Sequence, residues 1–486
     1  GPTGDPNRLR GMIATKGQFE INPRWDFGWQ GLLQSDKNFS RTYNIEGYAD
    51  YVYRSEIYLV GLNDRNYFDL RAMDFQVQEE VLDNNPEAIN AEQGMALPSF
   101  DYSYYPDEPV AGGELKIDVN SRMIHRYTED DDLTVPIIPG LEGDTGRLTA
   151  EGEWKRTIVT DSGFVLTPLF HLQGDSTFAD ISQQSDSSIS TMAQLLDVAS
   201  DIRSAYYRFM ATAGLELRWP VLFSSTSSSH VLEPVAQVFA RPNERYANGL
   251  GIPNEDAQSF VFDASTLFER DKFSGYDRIE GGTRANLGLR YTSSFANGWS
   301  SNAIVGQSYQ LAGRNSFDSP DLANIGVESG LETATSDYVG LVGFATPFGL
   351  SASASARFDE QTFEVRRTEM KAGFNTQAIA LSARYAFIDA QPLYGYAQDR
   401  QEVSGGASAR FNENWRVFAS GTYDLEENAM VRSALGFGYD DECFSYLLSM
   451  AETRNATTDE TERSFGFNIS LRTIGDFGST SAAFGQ

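Results

Sequence analysis

The sequence predicts an all-β chain, a large antiparallel transmembrane barrel, and three observations lead there. Segments about ten residues long alternate between large apolar residues and small or polar ones, as barrel strands do. The alternation recurs from one end of the chain to the other, and the face opposite the apolar one is rich in Gly, Ser, Asn and Arg. No run of about 18 apolar residues is present, so there is no candidate membrane-spanning helix. A soluble sandwich also alternates, but it hides its large apolar residues in a short dry core. Lipid outside and water inside suit this pattern better.

The elements follow in order. Residues 12–21 and 25–34 read as strands separated by the turn Asn22-Pro23-Arg24, and 50–62 and 67–78 flank a second tight connection at 63–66. Leu115, Ile117, Val119 and Met123 alternate with Glu114, Lys116, Asp118 and Arg122. Strands are expected at 164–173 and 231–239. Ala285, Leu287, Leu289 and Tyr291 then alternate with Arg284, Asn286, Gly288 and Arg290. Beyond Ala296-Asn297-Gly298 comes a strand at 299–311, and Pro347-Phe348-Gly349 joins 338–346 to 350–358. Ile379, Leu381, Ala383, Tyr385 and Phe387 form another oily face, and 411–414 turns into 415–423. Val431, Ser433, Leu435, Phe437 and Tyr439 make the next, and Phe465, Phe467, Ile469 and Leu471 the last. The total is about 21 strands, with ends uncertain by about two to four residues. Long connections are expected at 79–97, 126–146, 181–202, 241–281 and 313–334, the third holding a short helix at 192–196. Short turns on one side and long loops on the other describe a bacterial outer-membrane barrel.

Composition narrows the function. Aromatics make up 13 % of the 486 residues, with 43 Gly and 17 Pro, as many strands joined by turns require. The net charge of −30 argues against nucleic acid, whose phosphates need an excess of Lys and Arg. His125, His171 and His230 are the only histidines, and none stands in a zinc or Ser–His–acid spacing. The expectation is therefore no enzyme, no cofactor and no metal. Glu129 to Asp132 is an acidic run that reads as a solvated loop rather than a Ca²⁺ or Mg²⁺ site. Cys443 is the single cysteine, so any disulfide must reach a partner outside this chain.

Several motifs resemble the LptD family of lipopolysaccharide-assembly proteins, in the form found in alphaproteobacteria. The stretch 268–279, from Phe268 to Tyr276-Asp277-Arg278-Ile279, is similar to a long-loop motif of that family, and Leu232-Glu233-Pro234 stands on the strand before it. Gly306-Gln307, the segment from Tyr439 through Cys443 to Phe444, and the stretch 465–472 also match family motifs, as do Glu151 to Arg156 and Leu166-Thr167-Pro168. The order and spacing agree over nearly the whole chain.

The resemblance implies an outer-membrane component that places lipopolysaccharide in the outer leaflet through a hydrated lumen and a lateral gate. It implies Arg463, Phe465, Phe467, Ile469 and Leu471 on the last, gate-forming strand. Arg284, Asn286, Arg290, Asn468 and Arg472 become lumen-facing polar candidates. The implied partners are lipopolysaccharide, a plug lipoprotein (LptE), a periplasmic bridge protein reached through a jellyroll, outer-membrane lipids and the barrel-assembly machinery.

Two departures stand out. The family joins two adjacent C-terminal cysteines to its periplasmic domain, whereas here Glu442 precedes Cys443, leaving at most one such bridge. Residues 10–34 also look like the family's third hairpin. The expectation is one barrel domain over 1–486, without the jellyroll and the first four strands, so about 21–22 of the family's 26. A barrel lacking those strands would leave a costly unpaired edge in lipid, which points to part of a longer product. A general porin or solute channel is the alternative reading.

Overall fold

The computed structural model describes residues 10–36, 39–42, 45, 47–48, 50–78, 90–132, 135–258, 260–394, 396–454, 461–471 and 475–479. Its wall is an antiparallel meander. The strands run β1 (Met12–Asn22), β2 (Trp25–Gln34), β3 (Val52–Asn63), β4 (Asn66–Val77), β5 (Met95–Tyr104), β6 (Glu114–Arg126) and β7 (Gly143–Lys155). Next come β8 (Val165–Ile181), β9 (Ala205–Arg218), β10 (Ser228–Ala240), β11 (Thr283–Phe295), β12 (Ser300–Ala312), β13 (Tyr338–Ala345) and β14 (Leu350–Phe358). The last are β15 (Val365–Asn375), β16 (Ile379–Ile388), β17 (Arg400–Arg410), β18 (Trp415–Asp424), β19 (Ala429–Asp440), β20 (Phe444–Arg454), β21 (Thr461–Leu471) and β22 (Gly475–Ser479). Two further pieces, Ile158–Val159 and Val221–Ser224, extend the pairing of β8 and β10, which brings the sheet to 24 strands. Each wall strand pairs with the next in sequence, and among the described residues β1 and β22 are each paired on one side only.

The burial pattern is inside out, and the wall chemistry explains it. On β9, Phe209 is 68 % exposed while its neighbours Arg208 and Met210 are buried. On β8, Phe170 and Leu172 are exposed and His171, Gln173 and Asp175 are buried. In water such a surface would be unfavourable. In a bilayer, removing each large apolar side chain from water stabilises the wall by about 1.5–3 kcal/mol. The strand ladders meanwhile satisfy the backbone groups that hydrocarbon cannot.

The two ends differ. Trp25, Trp154, Trp219, Trp299 and Trp415 all sit at or beside short turns, where an aromatic belt meets the membrane–water interface. Trp415 packs 4.9 Å from Phe437 and 4.7 Å from Tyr439, beside the turn that carries Cys443. At the other end the long loops fold on one another. A four-residue helix, α1 (Phe39–Thr42), lies between β2 and β3. The expected helix at 192–196 is in fact α2 (Gln183–Leu195), which starts nine residues earlier. Its N-terminus is set by Ser182, whose hydroxyl accepts from the Ser185 N–H. Ile189 and Met192 of α2 pack with Ile138, Leu141, Leu250 and Leu322, so loops from four connections share one apolar cluster.

One sequence expectation needs correction. The strand expected to be last, carrying Arg463, Phe465, Phe467, Ile469 and Leu471, is followed by β22, which pairs with residues 467–471. A bare ladder edge is costly in lipid, and β22 satisfies the half of it nearest the short-turn end.

Candidate functional site

The loop between β10 and β11 turns back against the inner wall, and arginines on that wall hold it. Arg126 on β6 makes a forked pair with Glu255, at 2.8 and 2.9 Å. Arg147 on β7 pairs with Asp256 at 3.0 Å and also donates to Asp277. Arg208 on β9 donates to the Asp277 carbonyl at 2.7 Å and to the Tyr276 carbonyl at 3.2 Å. Arg284 on β11 donates to Glu280 at 2.5 Å and to Asn315 of the following long loop at 2.9 Å. The wall supplies the cations, and the loops supply the anions and carbonyls.

The long-loop motif lies at the centre of this mooring. Asp277 accepts from the Glu255 N–H at 2.7 Å and from the Asp256 N–H at 3.1 Å, while Asp256 accepts from the Tyr276 and Asp277 N–H groups. The Tyr276 ring lies under the Arg147 guanidinium, 5.2 Å from its centroid. Arg278 donates to the Ser316 carbonyl at 3.3 Å and stacks over Phe273. Ile279 is buried. Phe268 packs on an apolar cluster of Phe262, Leu267, Phe273, Phe317 and Leu331, and Arg290 covers its ring at 4.5 Å.

Burial sets the proton affinities of the loop groups. It pushes the Asp277 carboxyl up to about 6; the Arg147 charge works against this and that of Asp256 adds to it. Burial also brings the Lys272 ammonium down to about 8, although Glu280 opposes it. Glu280 is buried too, yet Arg241, Arg284 and Lys272 together draw its carboxyl down to about 2.

The lumen candidates divide. Arg284 and Asn286 face inward as expected but are spent on the loops rather than open to solvent. Asn286 is fully buried, accepting from Lys272 Nζ at 3.2 Å and donating to Gln237 at 3.0 Å. Arg290 pairs with Glu233 at 3.6 Å. Asn468 sits half-buried on β21, away from the loops, and Arg472 lies outside the described residues. On the same strand Phe465 is 75 % exposed toward lipid, and Arg463 pairs with Glu452 at 2.7 Å. Cys443 is exposed on the short turn between β19 and β20, where its N–H donates to Asp441. The anchoring residues Arg126, Arg147, Arg208, Glu255 and Asp256 were missed in the sequence, where they read as ordinary inward polarity or loop charge.

Three carboxylates, Asp337, Asp359 and Glu360, lie close enough to share a cation. Arg357 and Arg366 already neutralise two of them, at 3.2 and 2.8 Å.

The family model described as LptD, LPS transport system D, matches residues 8–415. LPS-assembly protein LptD of Haemophilus influenzae is 21 % identical over 502 aligned residues, covering 96 % of this chain and 59 % of that protein. That of Chromobacterium violaceum is 25 % identical over 277 residues, covering 56 % and 33 %. That of Psychrobacter cryohalolentis is 26 % identical over 214 residues, covering 41 % and 20 %. The chain thus spans less than two thirds of the length of these curated relatives. Among solved structures, the FrpB iron transporter of Neisseria meningitidis aligns over 90 % of this chain and 75 % of its own, at 10 % identity and a TM-score of 0.44. With its apolar-out wall and a family match over most of its length, this chain belongs to the LptD family and is an outer-membrane β-barrel.

Proposed function

We propose that residues 1–486 form the barrel domain of a lipopolysaccharide translocon that inserts its cargo into the outer leaflet of the outer membrane. The family match over 8–415 carries this reading. The cargo joins acyl chains to a charged sugar head, so it needs both a hydrated path and a route into lipid. The inward polar face supplies the first. A seam beside β21 and β22 supplies the second, because β22 pairs over only five residues. Each ladder hydrogen bond contributes only about 0.5–1.5 kcal/mol net in water, and lipid exposure raises the cost of parting. Asn468 would line the inner side of that seam.

The partners belong to the proposal as well: lipopolysaccharide itself, outer-membrane lipids, the plug lipoprotein LptE, a periplasmic bridge protein reached through a jellyroll, and the barrel-assembly machinery. Cys443 lies at the short-turn end, which in outer-membrane barrels faces the periplasm, so a disulfide to a periplasmic domain is in reach. The chain's own loops fill the other end, so a plug lipoprotein would enter from below and meet the underside of the 268–279 segment. Deleting 268–279 is expected to lower recovery of the lipoprotein with the barrel; undiminished recovery would remove that contact from the scheme.

A general porin needs an open lumen, and the arginine-held loops work against it. Depletion of the full-length gene product separates the two readings. Newly made lipopolysaccharide held inside the cell, before other barrels decline, supports the translocon. Normal surface display with altered solute permeability would leave a porin.

A further inference from the structure

We propose that Arg122, Arg147 and Arg208 form a luminal seat for a phosphate monoester, which the Asp256–Asp277 pair occupies while the loop between β10 and β11 is docked. Arg147 and Arg208 are buried on neighbouring parts of the inner wall; Arg147 holds the Asp277 carboxylate, while Arg208 donates to the Asp277 carbonyl and is paired with Asp175 on the wall at 2.6 Å. Arg122 is the direct cross-strand neighbour of Arg147, and its guanidinium lies 4.0 Å from Asp256. Two carboxylates from one loop therefore converge on Arg147, with Arg122 and Arg208 beside it. That matches the charge of a phosphate monoester, about −1.5 to −2 near neutral pH, and arginine forks suit phosphate and carboxylate alike.

The loop is an incomplete ligand for this seat. Arg147 Nε, the Thr149 and Thr177 hydroxyls and Asp175 Oδ2 are buried, yet they have no hydrogen-bond partner among the described protein groups. All four lie on β7 and β8 around the arginines: Thr177 is directly opposite Arg147, and Asp175 lies between Thr149 and Arg208. A phosphorylated sugar brings both charge and hydroxyls to such a surface. Below this loop, a cavity of about 650 Å³ runs alongside Gly275 and Tyr276, which gives a ligand room to approach from the lumen. Exchange of the loop carboxylates for a phosphate would release the loop and clear the path, so the cargo would open its own gate.

This rests on the translocon reading, and the test separates the two. The full-length protein in a planar bilayer is exposed to glucose 1-phosphate, inorganic phosphate, sulfate or glucose while ion conductance is recorded. Glucose 1-phosphate is expected to raise the open fraction about tenfold, a typical size for ligand-linked coupling. Glucose and sulfate are expected to do little, and an equal response to inorganic phosphate still supports the seat. Arg147→Lys and Arg208→Lys keep the charge but lose the fork, and each should shift the response to about tenfold higher concentration. The seat is overturned if wild type shows no phosphate response, if sulfate acts as well as phosphate, or if both variants respond like wild type. Surface display of lipopolysaccharide is measured separately. Normal surface display on depletion, together with an intact phosphate response, would sink the translocon reading and leave the seat standing.

Discussion

At the scale of single residues, buried charge decides how firmly the loops are held. Glu280 is paired with Arg284 at 2.5 Å and Arg241 at 3.3 Å, all three nearly inaccessible. Removing one partner leaves the others charged, buried and uncompensated, at a cost of about 3–5 kcal/mol. Glu280→Ala is therefore expected to free the loop for limited proteolysis, while the wall keeps its strand signal in circular dichroism. A loop as resistant as wild type would show that the network adds nothing. Asp277 sets a pH dependence. Its carboxyl titrates near 6 in the docked loop, against an ordinary value of 3.8. The docked state therefore binds more protons between about pH 4 and 6 than the released one. Docking strengthens as pH falls through that window, and the gain is lost as pH rises past 6. Arg147 and Asp256 face the same carboxyl, the first drawing its proton affinity down and the second pushing it up. Hydrogen exchange of the 241–282 loop, corrected for intrinsic rates, should be slower at pH 5 than at 7.5 in wild type. In Asp277→Asn it should not change, and identical pH behaviour in both proteins would reject the assignment.

At the scale of elements, the same alternation that marked the strands left the loops unread. The wall was legible because each strand repeats one physical rule. The second strand was expected at 25–34 and is Trp25–Gln34; the first was expected at 12–21 and runs one residue longer. The inward-folded loops obey no period. Their apolar residues, such as Phe262, Leu267 and Phe317, come from separate connections and meet only in three dimensions. α2 was underestimated for a related reason: its first half is Gln, Ser and Asp, residues of middling helix propensity, and packing by Ile189 and Met192 stabilises it. The Gly306-Gln307 motif was noticed in the sequence, and the structure gives it a reason. Gly306 faces Gly288 across the β11–β12 ladder. A Cβ at Gly306 would lie 2.4 Å from the Leu287 carbonyl oxygen and 2.6 Å from the Leu267 side chain. Gln307 donates to the Ser336 carbonyl at 2.7 Å. Gly306→Val is therefore expected to loosen loop docking by about 1–3 kcal/mol, the usual cost of overpacking. Faster loop cleavage with an unchanged barrel would bear this out, and unchanged cleavage would mean the close approach is relieved by a small shift of the wall.

At the scale of the whole molecule, the orientation of the wall makes the remaining prediction. Strands such as β8 and β9 turn an apolar face outward, and the buried faces of β6 to β11 carry His171, Arg208, Asn286 and other polar groups. If lipid covers the outside, a charge placed there must be costly in a depth-dependent way. Phe209 lies within β9, well away from the turns, and Phe348 lies on the short turn between β13 and β14. Phe209→Arg should destabilise the barrel by about 2–4 kcal/mol, whereas Phe348→Arg should cost only about 0–1 kcal/mol. Reversible folding into lipid vesicles of the full-length protein, followed by tryptophan fluorescence, measures both. Equal and small effects at the two sites would mean that water, not hydrocarbon, bathes the apolar face. A large cost at Phe209 alone would fix the hydrocarbon layer against the strands and, with it, place the arginine-held loops at the outer mouth of the barrel.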